Sequence, residues 1–184
     1  MTLTNQNIEQ LLELCKSKDQ RAQLEVYNRY YKAMYNTSYR IVKDSHKAED
    51  IMQESFLSAF TMLDTLKEAS MFGAWLKRIV VNNSIYFYNQ NNKYKEVPLD
   101  DVIYKVEDEQ GIAEDDDLTT IKASQIVATM KTLKDSYQTS LNLHLIEGYD
   151  YEEISEIMNI SHANCRTMIS RAKDSLRQKL LSIA

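Results

Sequence analysis

Apolar positions recur at intervals of three and four along most of the chain, the period of helices that bury one face. Ile8 to Leu14 is a short amphipathic stretch of this kind. From Arg21 onward, Leu24, Tyr27, Tyr31, Met34, Tyr35, Ser38 and Ile41 fall near helical spacing. They predict a long helix with a tyrosine-rich inward stripe, hydroxyls at its edge. Val42-Lys43-Asp44-Ser45 interrupts the pattern and offers caps for a helix from His46 to about Leu63. Ala48, Ile51, Met52, Ser55, Ala59 and Met62 form the inward face of that helix. Asp50, Gln53, Glu54 and Leu57 form another face, at i, i+3, i+4, i+7. Such a face is usually solvated charge. Leu57 stands among the carboxylates, however, and makes it a candidate docking surface.

Asp64 to Met71 reads as a mostly polar connection, after which a third long helix begins. In it Trp75, Leu76, Ile79, Val80 and Asn83 share a face, with Trp75 and Ile79 expected in the core. Phe72 and Trp75 beside Lys77 and Arg78 also make a set that could stack on and clamp unpaired bases. Farther on, Ile121, Ile126, Val127, Met130 and Leu133 make one amphipathic helix. Leu141, Leu143, Leu145 and Ile146 belong to the next, which Gly148 ends as a C′ residue.

The stretch from Gly148 to Leu180 reads as two helices around a tight turn. Ile154, Ile157 and Met158 mark the buried face of the first, and Cys165, Ile169, Ala172, Leu176 and Leu180 that of the second. Asn159 tolerates the left-handed region, and Ser161 is placed to cap the second helix. Asn164, Arg166, Thr167, Ser170 and Arg171 fall outside the second stripe. An amphipathic helical hairpin would share the periodicity; so would a helix-turn-helix, whose second helix enters the major groove.

Composition restricts the class. Among 184 residues there are three glycines and one proline, too little turn punctuation for hairpins, so the fold is predicted to be all-α. Cys15 and Cys165 form no CxxC pair and read as reduced thiols. The N-terminus has no basic segment leading into an apolar core, and no apolar run approaches a membrane span, so the expected location is cytoplasmic, with no membrane insertion.

The net charge of −5 argues against a nucleic-acid binder until it is resolved by segment. Glu96 to Asp117 holds ten acids and one base, a charge of −9, and the remainder is therefore +4. Pro98 and Gly111 lie inside this acidic stretch. The chain is accordingly divided into a helical domain at 1–94, an acidic linker at 95–119 and a second helical domain at 120–184.

Catalytic chemistry is not visible. Three scattered glycines cannot build a phosphate loop. His46 with Asp50, and His162 with Cys165, lack further ligands nearby, so neither a metal nor a cofactor is expected.

Several segments, taken together and in order, resemble the extracytoplasmic-function (ECF) sigma factors of the sigma-70 family. Ala48-Glu49-Asp50-Ile51-Met52-Gln53-Glu54-Ser55-Phe56 matches the AED-x-x-Q-E-x-F helix of that family. Phe72-Gly73-Ala74-Trp75-Leu76-Lys77-Arg78-Ile79-Val80-Val81-Asn82 matches its F-x-x-W-L-x-R-I-x-x-N element. Glu147-Gly148, Glu153-Ile154-Ser155, Ile160-Ser161, Arg171-Ala172 and Leu176 fit its final domain, with Ser155 in place of Ala. The resemblance covers nearly the whole chain.

It implies a sigma factor that directs promoter recognition, promoter opening and transcription initiation, without bond chemistry of its own. Asp50, Gln53, Glu54 and Leu57 would bind the clamp helices of bacterial core RNA polymerase. Phe72, Lys77, Arg78, Asn82, Tyr86 and Asn89 would meet the promoter −10 region. His162, Asn164, Arg166, Thr167, Ser170, Arg171 and Lys173 would read the −35 element while the terminal domain seats on the polymerase flap. The acidic linker would run toward the RNA exit path, and an anti-sigma factor or a recruiting protein is a possible further partner. Some positions depart from the family. Tyr86, Asn89 and Gln90 stand where an Asp and an Arg pair are usual, and Met168 where a base is frequent. Ser170 replaces an apolar or aromatic residue, and Lys134 a common proline. These departures keep two alternatives in view: a polymerase-bound adaptor with weak DNA reading, and a stand-alone helix-turn-helix regulator.

Overall fold

The computed structural model describes residues 3–93 and 118–183, so the acidic stretch from Glu96 to Asp117 lies outside the described residues. Every regular element among the described residues is helical. The chain divides into two compact units, Met1–Asn92 and Lys93–Ala184.

The first unit is built from α1 (Ile8–Lys16), α2 (Gln20–Val42), α3 (Ser45–Thr61) and α4 (Phe72–Lys93), with short 3-10 turns at Leu3–Asn5, Leu63–Thr65 and Ala69–Met71. Side-chain caps set the first three starts. Asn7 accepts from the Gln10 amide at 2.9 Å, Asp19 from those of Arg21 and Ala22, and Asp44 from that of Lys47. Each cap satisfies amides that have no partner within the helix. Lys43, with φ 57° and ψ 23°, closes α2 in the left-handed conformation and lets the chain reverse directly into α3.

The core gathers Leu11, Leu12, Val26, Met34, Met52, Phe56, Leu63, Phe72, Leu76 and Val80, with Trp75 and Ile79 partly buried at its edge. α2 is a helix as predicted, but its inward face is rotated from the predicted stripe. Ala22, Val26, Met34, Thr37, Ser38 and Ile41 are buried, whereas Leu24 is 59% and Tyr31 43% exposed. The tyrosines blur the stripe because each is part apolar and part polar. Tyr27 and Tyr35, half-buried against the core, stack on the exposed rings of Tyr31 and Tyr39 at centroid separations of 5.8 and 6.0 Å. Met62, expected inward, is the exposed C-cap of α3.

Small polar groups join α4 to its neighbours. Ser84 Oγ lies 2.9 Å from Ser38 Oγ and donates to the Val80 carbonyl; Asn83 Nδ2 donates to Ser55 Oγ at 2.9 Å. Ser38, Ser55 and Ser84 are wholly buried. Their size lets the helices approach closely, and their mutual bonding removes the cost of burying hydroxyls.

The second unit comprises α5 (Leu118–Met130), α6 (Asp135–Leu141), α7 (Tyr151–Met158) and α8 (His162–Ile183). Met130, Leu133, Leu141, Ala172 and Leu176 form a core cluster against which Tyr137 and Leu180 pack. Ile126 and Val127 are 38% and 41% exposed, so only the C-terminal end of the expected α5 stripe is enclosed; the side chain of Ile121 lies outside the described residues. α6 runs into a π-helical turn, Asn142–Ile146. The wider turn shifts the register of the apolar run: Leu143 is buried, while Leu145 is 49% exposed. Gly148, with φ +81°, ends this segment, and the Tyr149 amide returns to the Leu143 carbonyl at 3.0 Å.

Candidate nucleic-acid interface

α7, the turn and α8 form a helix-turn-helix whose junctions are capped at each step. Asp150 and Glu153 make a reciprocal capping box at the start of α7. Asn159, at φ 52° and ψ 50°, stops α7, and the Ile160 amide bonds back to the Ser155 carbonyl at 3.0 Å. Ser161 Oγ then accepts from the Asn164 amide at 3.2 Å and starts α8. Ile154, Ile157, Cys165, Ile169, Ala172 and Leu176 are buried, so the predicted stripes of both helices face inward.

What remains outward on α8 is the predicted reading face. His162, Asn164, Arg166, Thr167, Ser170 and Arg171 are all exposed. Ala163, Arg166, Thr167, Ser170 and Arg171 line an open depression of about 510 Å³. Thr167 donates its hydroxyl to the Ala163 carbonyl at 3.0 Å. Asp174, the nearest acid along the helix, pairs with Arg177 at 3.1 Å.

Lys173 leaves this set. Its Nζ lies 3.1 Å from His144 Nε2, donates to the Tyr151 hydroxyl at 3.3 Å and sits 5.7 Å over the Tyr151 ring. The other ring nitrogen of His144 lies 3.0 Å from the Tyr149 carbonyl. With the proton on Nδ1, the imidazole donates to that carbonyl and accepts from the ammonium. Lys173 thus ties α8 to α7 and the π turn rather than projecting beside Arg166. Sequence reading missed His144 because it lies 29 residues away in the chain, on a turn whose register no periodicity reveals.

In the first unit two further predicted faces are open. Asp50, Gln53, Glu54 and Leu57 are exposed on α3, Leu57 at 69%. Asp50 lies 3.6 Å from Lys47, and Gln53 donates to Glu49 at 3.2 Å. On α4, Asn82, Tyr86 and Asn89 are exposed, and Gln90 donates to the Tyr86 hydroxyl at 2.7 Å. Lys77 and Arg78 are half-buried.

Phe72 must be removed from the predicted DNA contacts. Its ring is fully buried, edge-on to Tyr30 at 5.3 Å and 6.0 Å from Trp75. A ring enclosed on this scale cannot stack on a base. Gly73 belongs to the same packing: a Cβ there would stand 3.0 Å from Tyr30 Cε1.

Neither thiol is poised for reaction. Burial pushes the Cys165 thiol up, and burial together with Asp19 pushes Cys15 up to about 11. Among the described residues no group of three or more His, Cys, Asp or Glu side chains could hold a metal ion. No helix among them is long and apolar enough to cross a membrane.

Comparison with known proteins places both units. Residues 26–94 match the family model for Sigma-70 region 2, and residues 123–176 that for Sigma-70, region 4. The chain is 29% identical over 183 residues to the ECF RNA polymerase sigma factor SigW of Bacillus subtilis, covering 94% of this chain and 96% of that one. It is 26% identical to the RNA polymerase sigma-H factor of Pseudomonas aeruginosa, covering 97% and 96% of the two chains. Its fold is similar to that of CnrH, solved with the cytosolic domain of CnrY (TM-score 0.54, 18% identity, 96% of this chain and 99% of that one). It is similar also to the sigma factor RpoE of Bartonella quintana, solved with the anti-sigma factor NepR (TM-score 0.51, 22% identity, 86% and 96%). The two family models cover well over half of the chain, in the family's order and on the helices that carry its motifs, and the chain therefore belongs to the sigma-70 family, as an ECF RNA polymerase sigma factor.

Proposed function

We propose that this chain gives bacterial core RNA polymerase its promoter specificity, with three surfaces sharing the work. The α3 face of Asp50, Gln53, Glu54 and Leu57 docks on the polymerase. Asn82, Tyr86 and Asn89 on α4, flanked by Lys77 and Arg78, meet the −10 region as its bases unstack. The α8 face of His162, Asn164, Arg166, Thr167, Ser170 and Arg171 reads the −35 element. The chain performs no bond chemistry in this reading and works in the cytoplasm, where its acidic linker follows the path of the transcript.

One observation carries the proposal: a helix-turn-helix with open arginines and an α3 face with an open leucine occur in one chain, on matched sigma regions. Binding energy spent on both surfaces lowers the cost of placing the polymerase and separating the strands. Run-off transcription with purified core enzyme and this chain alone tests it, with sequence-selective initiation expected. Absence of binding to core enzyme would overturn it.

A second reading has support from α4. The exposed side chains Asn82, Tyr86, Asn89 and Gln90 are all neutral, which limits phosphate contacts from this surface. In that reading the chain is a polymerase-bound adaptor whose site is chosen by another protein. The run-off assay separates the two: binding to core without selective initiation supports the adaptor. An anti-sigma factor is a proposed partner in either reading, since CnrH and RpoE, which share the fold, were each solved with a partner protein.

A further inference from the structure

The chemistry of the α8 face goes beyond a general capacity to bind DNA. By helical spacing Ala163, Thr167 and Ser170 lie opposite the buried stripe of Cys165, Ile169, Ala172 and Leu176, and Arg166 and Arg171 complete the lining of the depression. Arg171 follows Arg166 by five positions, about 7.5 Å of helix axis. Among the described residues neither guanidinium has a hydrogen bond or ion pair, so both are available. Lys173 is not, because His144 and Tyr151 hold it.

Thr167 is the informative member. Its hydroxyl proton is committed to the Ala163 carbonyl, so the side chain has no proton to donate to a base, and its γ-methyl is the apolar group it brings to the face. The α8 surface therefore presents two adjacent methyl groups, from Ala163 and Thr167, then the small hydroxyl of Ser170. Short side chains on this line let the helix approach the groove floor closely. In the major groove the apolar partner for such methyls is the C5-methyl of thymine. The partner for a guanidinium fork is the O6 and N7 edge of guanine.

We infer that this α8 face selects a −35 element in which one or more thymine methyls lie against Ala163 and Thr167, bracketed by guanines reached by Arg166 and Arg171. The inference rests on the proposed reading of α8 as the −35 helix. It assigns specificity to Thr167 through its methyl group, a role that neither the charge of the helix nor its motif indicates.

The experiment uses holoenzyme reconstituted from core polymerase and the intact chain. Sequences are selected from promoter templates randomised over the −35 region. In the selected element each thymine is replaced singly by deoxyuridine, which removes only the methyl group, and each guanine by 7-deazaguanine, which removes N7. One central thymine is expected to lose about three- to fourfold in binding as deoxyuridine, the worth of one buried methyl. Flanking 7-deazaguanines are expected to lose about tenfold, as for loss of a specific arginine–guanine contact. In T167S holoenzyme the loss on replacing the central thymine by deoxyuridine should shrink, because serine keeps the hydroxyl and lacks the methyl while Ala163 keeps its own. Selected elements without thymine there, deoxyuridine without effect at every position, or undiminished sensitivity in T167S would each overturn the inference while leaving the sigma function standing. Failure of the holoenzyme to select any sequence would instead overturn the proposed function.

Discussion

Phe72 shows how far a side chain's role depends on where its helix sits. Beside Trp75, Lys77 and Arg78 it has the composition of a base-stacking clamp, yet its ring packs against Tyr30 with no exposed surface. Phe72→Ala is expected to destabilise the first unit by about 3–5 kcal/mol in a denaturant titration, as for other buried rings. Tyr86→Ala, at a 67% exposed position, should change stability by less than about 0.5 kcal/mol. Equal stability losses would contradict the assignment of Phe72 to the core. On α8 the expectation is reversed. Arg166→Ala or Arg171→Ala should leave the fold intact and weaken −35 binding by roughly 1–3 kcal/mol. Unchanged base preference in both variants would remove α8 from DNA reading. Cys15 adds a pH dependence. Its thiol, pushed from 9.0 up to about 11, resists ionisation in the folded state. The associated stability is fully present below pH 9.0 and is lost as pH rises through the folded value. The Cys15→Ala chain should therefore show a smaller fall in stability between pH 9 and 11 than the wild type, measured by urea titration at each pH.

At the level of elements, most helix ends follow local chemistry. Asp44, Asp150 and Ser161 cap, while Lys43, Asn159 and Gly148 adopt the left-handed or positive-φ conformations that stop helices. These signals act over three or four residues and are legible in the sequence for that reason. The π turn at Asn142–Ile146 was not legible: it arises where the end of α6 must meet the core and the turn before α7 at once, and it turns Leu145 outward. Lys134 offers a test of local fit. It precedes α6 with φ −52° and ψ 140°, angles that proline adopts freely. Lys134→Pro is expected to raise stability by about 0.4–1 kcal/mol by restricting the unfolded chain. A loss in the midpoint of chemical denaturation would show that the Lys134 backbone is less compatible than these angles indicate.

For the whole molecule, the distribution of charge matters more than its total. A chain of net charge −5 can still present basic and docking surfaces because ten of its acids lie between Glu96 and Asp117. Leu57 tests the docking half of the proposal. At 69% exposure it contributes little to the core, so Leu57→Asp should preserve helicity and melting temperature. Core-polymerase binding should weaken by about 2 kcal/mol if Leu57 is a central contact. Undiminished affinity in a titration with core enzyme would move the docking surface elsewhere.

The sequence by itself determined the helical class, the acidic stretch, the positions of the helices and the capped helix-turn-helix. Each follows from composition or from contacts between residues close in the chain. It also placed Asp50, Leu57, Arg166 and Arg171 outside the cores, because a helix with one buried stripe has a definite opposite face. Only the tertiary structure decided the rotation of α2, the burial of Phe72 against Tyr30 and the removal of Lys173 by His144 and Tyr151. These last outcomes depend on partners 42, 29 and 22 residues away, whose approach is fixed by packing and leaves no local period in the sequence.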